Sequence, residues 1–276
     1  MRRIVHAAVV VSILVLPPAA SAVGPSLGAI DGNPGVQGLT QDVSYSAVLT
    51  GDNTKLRAQK DGELVRSAIV PGLWGVPMVT LNGGTGGLSP NGRVLVLSDN
   101  IQPGAALRSK SGFAVVDTRT LRVTRTISLP GDYSFDALSP RGQTLFLIHH
   151  VSQSDVTKYQ VRAYDLKTGA LLSRVIADKR QAGWVMAGMP VTRATSSNGR
   201  WVYTLYQQSR NVPFVHALDT VSKTAVCIGL PWNWAANNAG ISEATLRLVG
   251  DQLHIVGGQG STTRFLLDTK TFRIAT

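Results

Sequence analysis

Residues 135–175 contain Phe135-Asp-Ala-Leu-Ser-Pro-Arg-Gly-Gln-Thr-Leu-Phe-Leu-Ile148, a polar gap, and Tyr159-Gln-Val-Arg-Ala-Tyr-Asp-Leu-Lys-Thr-Gly-Ala-Leu-Leu-Ser-Arg-Val175. The stretch reads as four strands. Tight turns fall at Ser139–Gly142 and at Asp165–Gly169, with a longer loop between the second and third strands. Proline presets φ at a turn, and glycine accepts the positive φ that a tight connection demands.

Both turns recur along the chain. The first appears as Leu88-Ser-Pro-Asn-Gly-Arg93, Leu138-Ser-Pro-Arg-Gly-Gln143 and Thr195-Ser-Ser-Asn-Gly-Arg200, with a weaker copy at Val249-Gly-Asp-Gln252. An apolar strand follows each copy: Val94–Leu97, Thr144–Ile148, Trp201–Leu205 and Leu253–Val256. The second is an apolar strand ending in aspartate and a polar turn, at Phe113–Thr120, Val161–Gly169, Val215–Ser222 and Phe265–Thr271, with a degenerate copy at Leu56–Glu63. The carboxylate is expected to accept from N–H groups just ahead of it. Asp117, Asp165, Asp219 and Asp268 are spaced by 165 − 117 = 48, 219 − 165 = 54 and 268 − 219 = 49 residues.

A period near fifty with four strands per unit predicts an all-β propeller of four-stranded antiparallel blades. Four units are clear and one is degenerate, so five blades are expected; six or seven shorter, irregular blades are the alternative. Ser89-Pro90-Asn91-Gly92-Arg93 resembles the Ser-Pro-Asp-Gly-Arg turn of secreted bacterial propellers of the YVTN and TolB-like class, which are also WD-repeat-like. The resemblance covers roughly residues 43–276. It implies a fold shared by many functions and no particular activity. The blade ends lack a Trp-Asp dipeptide, which argues against a true WD-repeat protein.

Composition agrees with a packed β fold. The chain has 276 residues, 43% of them hydrophobic and 16% charged, which excludes a disordered chain. Glu63 and Glu243 are its only glutamates, and no long amphipathic helical pattern occurs. Residues 1–22 read as a cleaved signal peptide. Arg2 and Arg3 precede an apolar run from Ile4 to Leu16, Pro17-Pro18 breaks it, and Ala20-Ser21-Ala22 fits a small-residue cleavage site. A retained membrane anchor is the alternative. Residues 23–42 read as a flexible, Gly- and Pro-rich leader, and 43–276 as a single propeller domain whose first blade lacks an inner strand that residues 72–80 or the leader could fill. The predicted location is extracytoplasmic, and with no cysteine at the cleavage site the chain is not a lipoprotein.

Cys227 is the only cysteine, so no intrachain disulfide is available. It lies in an apolar strand and reads as a small buried hydrophobe. Formal net charge is +11, or +9 without Arg2 and Arg3. Such a balance suits an extracellular protein, a glycan or an anionic wall polymer as partner, or simple solubility. No specific nucleic-acid binding and no cofactor are expected.

Gly86, Asp136, Arg193 and Glu243 hold equivalent positions, each just before a small residue of an inner strand. Two carboxylates flanking a guanidinium could bind a polar ligand, or serve as acid and base on a sugar in a glycosidase- or lactonase-like hydrolase. They could equally form an ion-paired plug. Trp184, Trp232 and Trp234 lie in loops, where aromatic faces could stack on a sugar or pack over the propeller face. His149 and His150 are strand neighbours pointing to opposite faces, while His216 and His254 sit in apolar strands as core residues. No metal site is expected. Gly-x-Ser-x-Gly, Walker and Cys-x-x-Cys motifs are absent, so a binding or scaffold role leads and the hydrolase is the alternative.

Overall fold

The computed structural model describes residues 27–39, 42–100, 106–178, 185–208, 212–232, 240–258 and 264–275. Among them the regular elements are all strands. β1 (Ala29–Ile30) and β2 (Gly32–Gln37) come first. β2 forms the first blade with β3 (Val43–Thr50), β4 (Asn53–Lys60) and β5 (Glu63–Pro71). The second blade contains β6 (Trp74–Pro77), β7 (Val94–Asp99), β8 (Lys110–Asp117) and β9 (Arg122–Pro130), with β1 paired to its inner edge. The third contains β10 (Asp132–Leu138), β11 (Thr144–His150), β12 (Lys158–Asp165) and β13 (Ala170–Leu171), with β14 (Met186–Ala187) also on β12. β15 (Met189–Thr195), β16 (Trp201–Gln207), β17 (Phe214–Asp219) and β18 (Thr224–Gly229) form the fourth. β19 (Thr245–Val249), β20 (Gln252–Val256), β21 (Arg264–Asp268) and β22 (Ile274–Ala275) form the fifth. Five antiparallel meanders in chain order make this an all-β propeller fold.

Of the two candidate sources for the first blade's inner strand, the leader supplies it. β1 and β2 lie within residues 23–42, and β2 is the inner strand that the first blade otherwise lacks. Without it the inner edge of β3 would expose unpaired backbone groups. Gly35 shows why the composition misleads. Its φ is +67°, and a Cβ there would stand 2.3 Å from the Tyr45 carbonyl oxygen. Glycine serves close strand approach here, not flexibility.

The Ser-x-x-Gly turns connect each inner strand to the next. Gly92, Gly142 and Gly199 have φ of 68°, 67° and 69°. Each donates its N–H to the serine carbonyl three residues back, at 2.7, 2.8 and 2.7 Å. The serine hydroxyl adds a second closure: Ser89, Ser139 and Ser196 accept from the N–H of Val94, Thr144 and Trp201 at 3.0, 3.0 and 2.9 Å.

The aspartate turns are built alike. Asp165 Oδ1 accepts from Lys167 N at 2.8 Å and Thr168 N at 2.9 Å. Asp219 does the same with Val221 and Ser222, and Asp268 with Lys270 and Thr271. Each turn ends on a left-handed residue: Leu121, Gly169, Lys223 and Phe272 have φ of 54°, 77°, 55° and 54°. A non-glycine residue costs about 1–2 kcal/mol there. Burial offsets that cost at two sites, since Leu121 is fully buried and Phe272 packs edge-on against Trp201.

Hydrogen bonds from Thr168 and Lys167 hold the Asp165 carboxyl below its usual pKa. A depressed folded pKa contributes stability above the unfolded value, lost as pH falls through the folded one. Asp165→Ala is therefore expected to cost about 1 kcal/mol at pH 7, by analogy with helix caps. The difference from wild type should shrink below about pH 4. Urea melts at both pH values check it, and an unchanged midpoint at pH 7 refutes it.

Candidate functional site

At the inner ends of the blades, the second blade sends a hairpin across the centre. β6 ends at Pro77, and residues 78–86 fold back on themselves through Val79 N→Gly84 O at 2.8 Å and Gly86 N→Pro77 O at 2.9 Å. The tip reaches the fourth blade, where Leu81 and Asn82 donate N–H groups to Pro190 O at 2.8 Å and Val191 O at 3.3 Å. The return arm touches the first blade through Thr85 Oγ1→Gly35 O at 2.6 Å. Gly86 lies against the Phe135 ring of the third blade, so close that a Cβ would meet it at 2.7 Å. One short segment thus joins four blades, and the sequence gives no sign of its reach.

Below this hairpin lies Asp136. It is the extra residue of a β-bulge in the β10–β11 pairing, where the register shifts between Phe135 and Ala137. A bulge re-aims a side chain, and here it aims the carboxylate at Arg193 of β15. The Arg193 guanidinium donates to Asp136 Oδ1 and to the Asp136 carbonyl oxygen, and its Nε donates to Thr204 Oγ1 at 2.9 Å. Both side chains are largely buried. Asp136 Oδ2 has no hydrogen-bond partner among the described residues.

The pair separates two cavities. One, of about 30 Å³, is lined by Met78, Phe135, His150, Tyr159, Pro190 and Tyr206 around the ion pair, and has room for about one water. The other, of about 110 Å³, lies toward Val36, Gly86, Pro90, Leu138 and Gly199.

Behind the pair is a buried polar group. Tyr159 stacks on Tyr206 at 5.1 Å between ring centroids, and Tyr206 meets the edge of His216 at 6.2 Å. His216 Nδ1 lies 3.6 Å from Cys227 Sγ, and that thiol is buried as the sequence implies. His216 Nε2 has no hydrogen-bond partner among the described residues, although the residue is buried in the core as its apolar strand implies. Burial pushes the His216 pKa down to about 4, with the Asp136 charge pulling the other way. Burial likewise lowers His150 to about 4, with Asp132 opposing, and raises both tyrosines above their ordinary value. His149 and His150 do face opposite sides: His149 stacks on Tyr133 and His150 meets Ser134 Oγ at 3.1 Å.

Of the remaining sequence candidates, Glu243 and Trp232 do not join this group. Glu243 stands exposed in the turn before β19, with its Cβ packed beside Gly258. The ion pair of Arg193 is made with Asp136 alone among the described residues. Trp232 is buried in the core between the fourth and fifth blades, tilted against Phe265 at 6.0 Å. Trp184 and Trp234 lie outside the described residues.

A second cluster escaped the sequence reading. Arg108 joins the second blade to the third through Asp99 Oδ1 at 3.0 Å and Asp132 Oδ1 at 2.8 Å. Its only sequence signal is that Asp99 ends one apolar strand and Asp132 begins another.

The five four- and five-stranded antiparallel sheets make the chain an all-β propeller fold. No protein-family model and no curated protein matches its sequence. Similar solved structures include TolB from Agrobacterium tumefaciens, at 14% identity and a TM-score of 0.45 over 90% of this chain and 80% of that one. The β-propeller domain of Myceliophteria thermophila Cps50 (Swd1) is 11% identical with a TM-score of 0.47, over 88% and 67%. A puromycin hydrolase is 20% identical with a TM-score of 0.49, but the 93% of this chain that aligns spans only 38% of that one. These likenesses concern fold only, and the propeller assignment stands on the five sheets themselves.

Removing the guanidinium would leave a buried carboxylate with nothing to balance it. Arg193→Met should cost about 3–5 kcal/mol at pH 7, and Asp136→Leu combined with it should recover most of that loss. Urea unfolding measures both, and a neutral Arg193→Met would mean the pair is solvated.

A folded histidine pKa below the unfolded one means that the unfolded chain binds the extra proton. Stability is then full above about pH 6.5 and falls as pH drops toward 4. His150 and His216 should each add up to about 1.4 kcal/mol per pH unit to that fall. His216→Phe should flatten the decline in urea midpoint between pH 6.5 and 4.5, and an unchanged slope would contradict the burial argument.

Proposed function

We propose that the chain is an exported β-propeller that acts as a binding or scaffold module, not as a hydrolase. The carrying observation is the state of Asp136: engaged by Arg193, between cavities of only about 30 and 110 Å³, beneath a hairpin that crosses the centre. A glycosidase needs two carboxyls about 5–10 Å apart across a substrate-sized cleft. Here the second carboxylate, Glu243, stands in an exposed turn. The Asp136–Arg193 pair acts as a structural plug between the third and fourth blades, and Trp232 as a core residue. Export rests on the signal pattern of residues 1–22. The basic balance favours an anionic extracellular partner, polymer or protein.

Chromogenic glycosides and lactones assayed with the purified protein should show no turnover above background. Turnover lost in Glu243→Gln, with an unchanged urea midpoint, would establish the hydrolase instead. Fractionation should recover the chain outside the cytoplasm with an N-terminus at Val23 by mass spectrometry; retention of residues 1–22 would replace the cleaved signal with an anchor, and a cytoplasmic chain would sink the export reading.

A further inference from the structure

The first and second blades part into a cleft of about 370 Å³. Tyr45 of β3 and Ala58 of β4 form its floor. One wall is β5, where the register shifts opposite Ala58 and Gln59, leaving Val65 60% exposed with Arg66 beside it. The other wall is two turns of the second blade, carrying Arg93 and Arg119. Thr118 Oγ1 donates to Gly92 O at 2.7 Å and locks those turns together. Arg66 reaches over the cleft to the carbonyl oxygens of Thr118 and Arg119. Three guanidinium groups therefore border a space large enough for a small ligand.

Their charge is poorly balanced. Asp117 is the neighbouring carboxylate, and its Oδ1 accepts the turn N–H groups of Arg119 and Thr120. Its Oδ2 meets Arg119 Nη2 at 3.2 Å. The fourth blade shows the alternative. Arg200, the counterpart of Arg93 in the repeat, makes two bonds to Asp219 Oδ2, from Nε at 3.0 Å and Nη2 at 2.7 Å. In the second blade the equivalent carboxylate is taken by Arg119. Arg66 and Arg93 make no ion pair among the described residues.

We propose that this cleft is an anion site that takes a phosphate-bearing group, held by the Arg66, Arg93 and Arg119 guanidiniums. Guanidinium forks match phosphate oxygens, and more than one fork favours a doubly charged group over a single carboxylate. The proposal supplies ligand chemistry for the binding module above, and its physiological meaning rests on that reading.

Calorimetric titration of the full chain tests it with inorganic phosphate, a phosphorylated monosaccharide and glucuronate. Saturable binding of both phosphates, tighter than glucuronate, is expected. Arg93→Gln should weaken phosphate by about tenfold or more, the loss of one charge-assisted contact. Arg119→Gln, whose side chain is 70% exposed, should weaken it in the same direction and guards against misfolding of the first variant. Arg122→Gln, which removes a charge from the exposed start of β9 outside the cleft, should leave it unchanged. Absence of saturable phosphate binding overturns the proposal. So does glucuronate binding as tightly, or Arg122→Gln weakening binding as much as Arg93→Gln. Absence of phosphate binding in a protein without turnover sinks the cleft and leaves the binding module standing. Turnover with intact phosphate binding does the reverse.

Discussion

Inner sheets of this protein are apolar on both faces, so each must lie between two others. β16 shows the constraint. Val202 and Tyr206 enter the core shared with the third blade, while Tyr203 and Leu205 enter the core shared with the fifth. β11 does the same: Leu145 and Leu147 face the second blade and Phe146 the fourth. In β7, Leu95 and Leu97 pack toward the first blade and Val96 toward the third. Burial of apolar area on both sides is worth about 1.5–3 kcal/mol for each such side chain, and stacking successive sheets delivers it. Among the described residues the buried clusters join neighbouring blades from first to fifth, and none draws on both the fifth and the first.

Stacking sheets in this way brings their inner edges together, and those edges carry polar backbone. The centre therefore needs hydrogen-bond partners more than it needs apolar filling. The 78–86 hairpin supplies N–H groups to the fourth blade and a hydroxyl to the first. Arg193 supplies donors to a carboxylate and a carbonyl of the third blade. The hairpin and Arg193 thus serve backbone satisfaction, while Asp136 Oδ2 is left without a hydrogen-bond partner among the described residues.

Charge follows from the same economy of partners. The acids are few, and many are occupied in turns or buried pairs: Asp117, Asp165, Asp219 and Asp268 cap turns, Asp99 and Asp132 hold Arg108, and Asp136 holds Arg193. The excess of basic residues is left to the surface and to the cleft between the first two blades.

The sequence by itself determined the repeat, the turns and the strand faces, because these depend on residues close together in the chain. A serine five residues before a strand, or an aspartate two and three before the N–H groups it accepts, acts locally. Asp136 and Arg193 were legible as equivalents because the repeat placed both at inner-strand positions, and their meeting follows from adjacent blades. Glu243 held the same position in the alignment but falls in the turn before β19, which begins at Thr245. Only the tertiary structure decided that glycine-rich residues 32–37 close the first blade, that the 78–86 hairpin crosses to the fourth, and that Arg93 and Arg200 have different partners. Each of those outcomes turns on backbone edges or charges far apart in sequence, whose need for a partner is set by which sheet lies beside them.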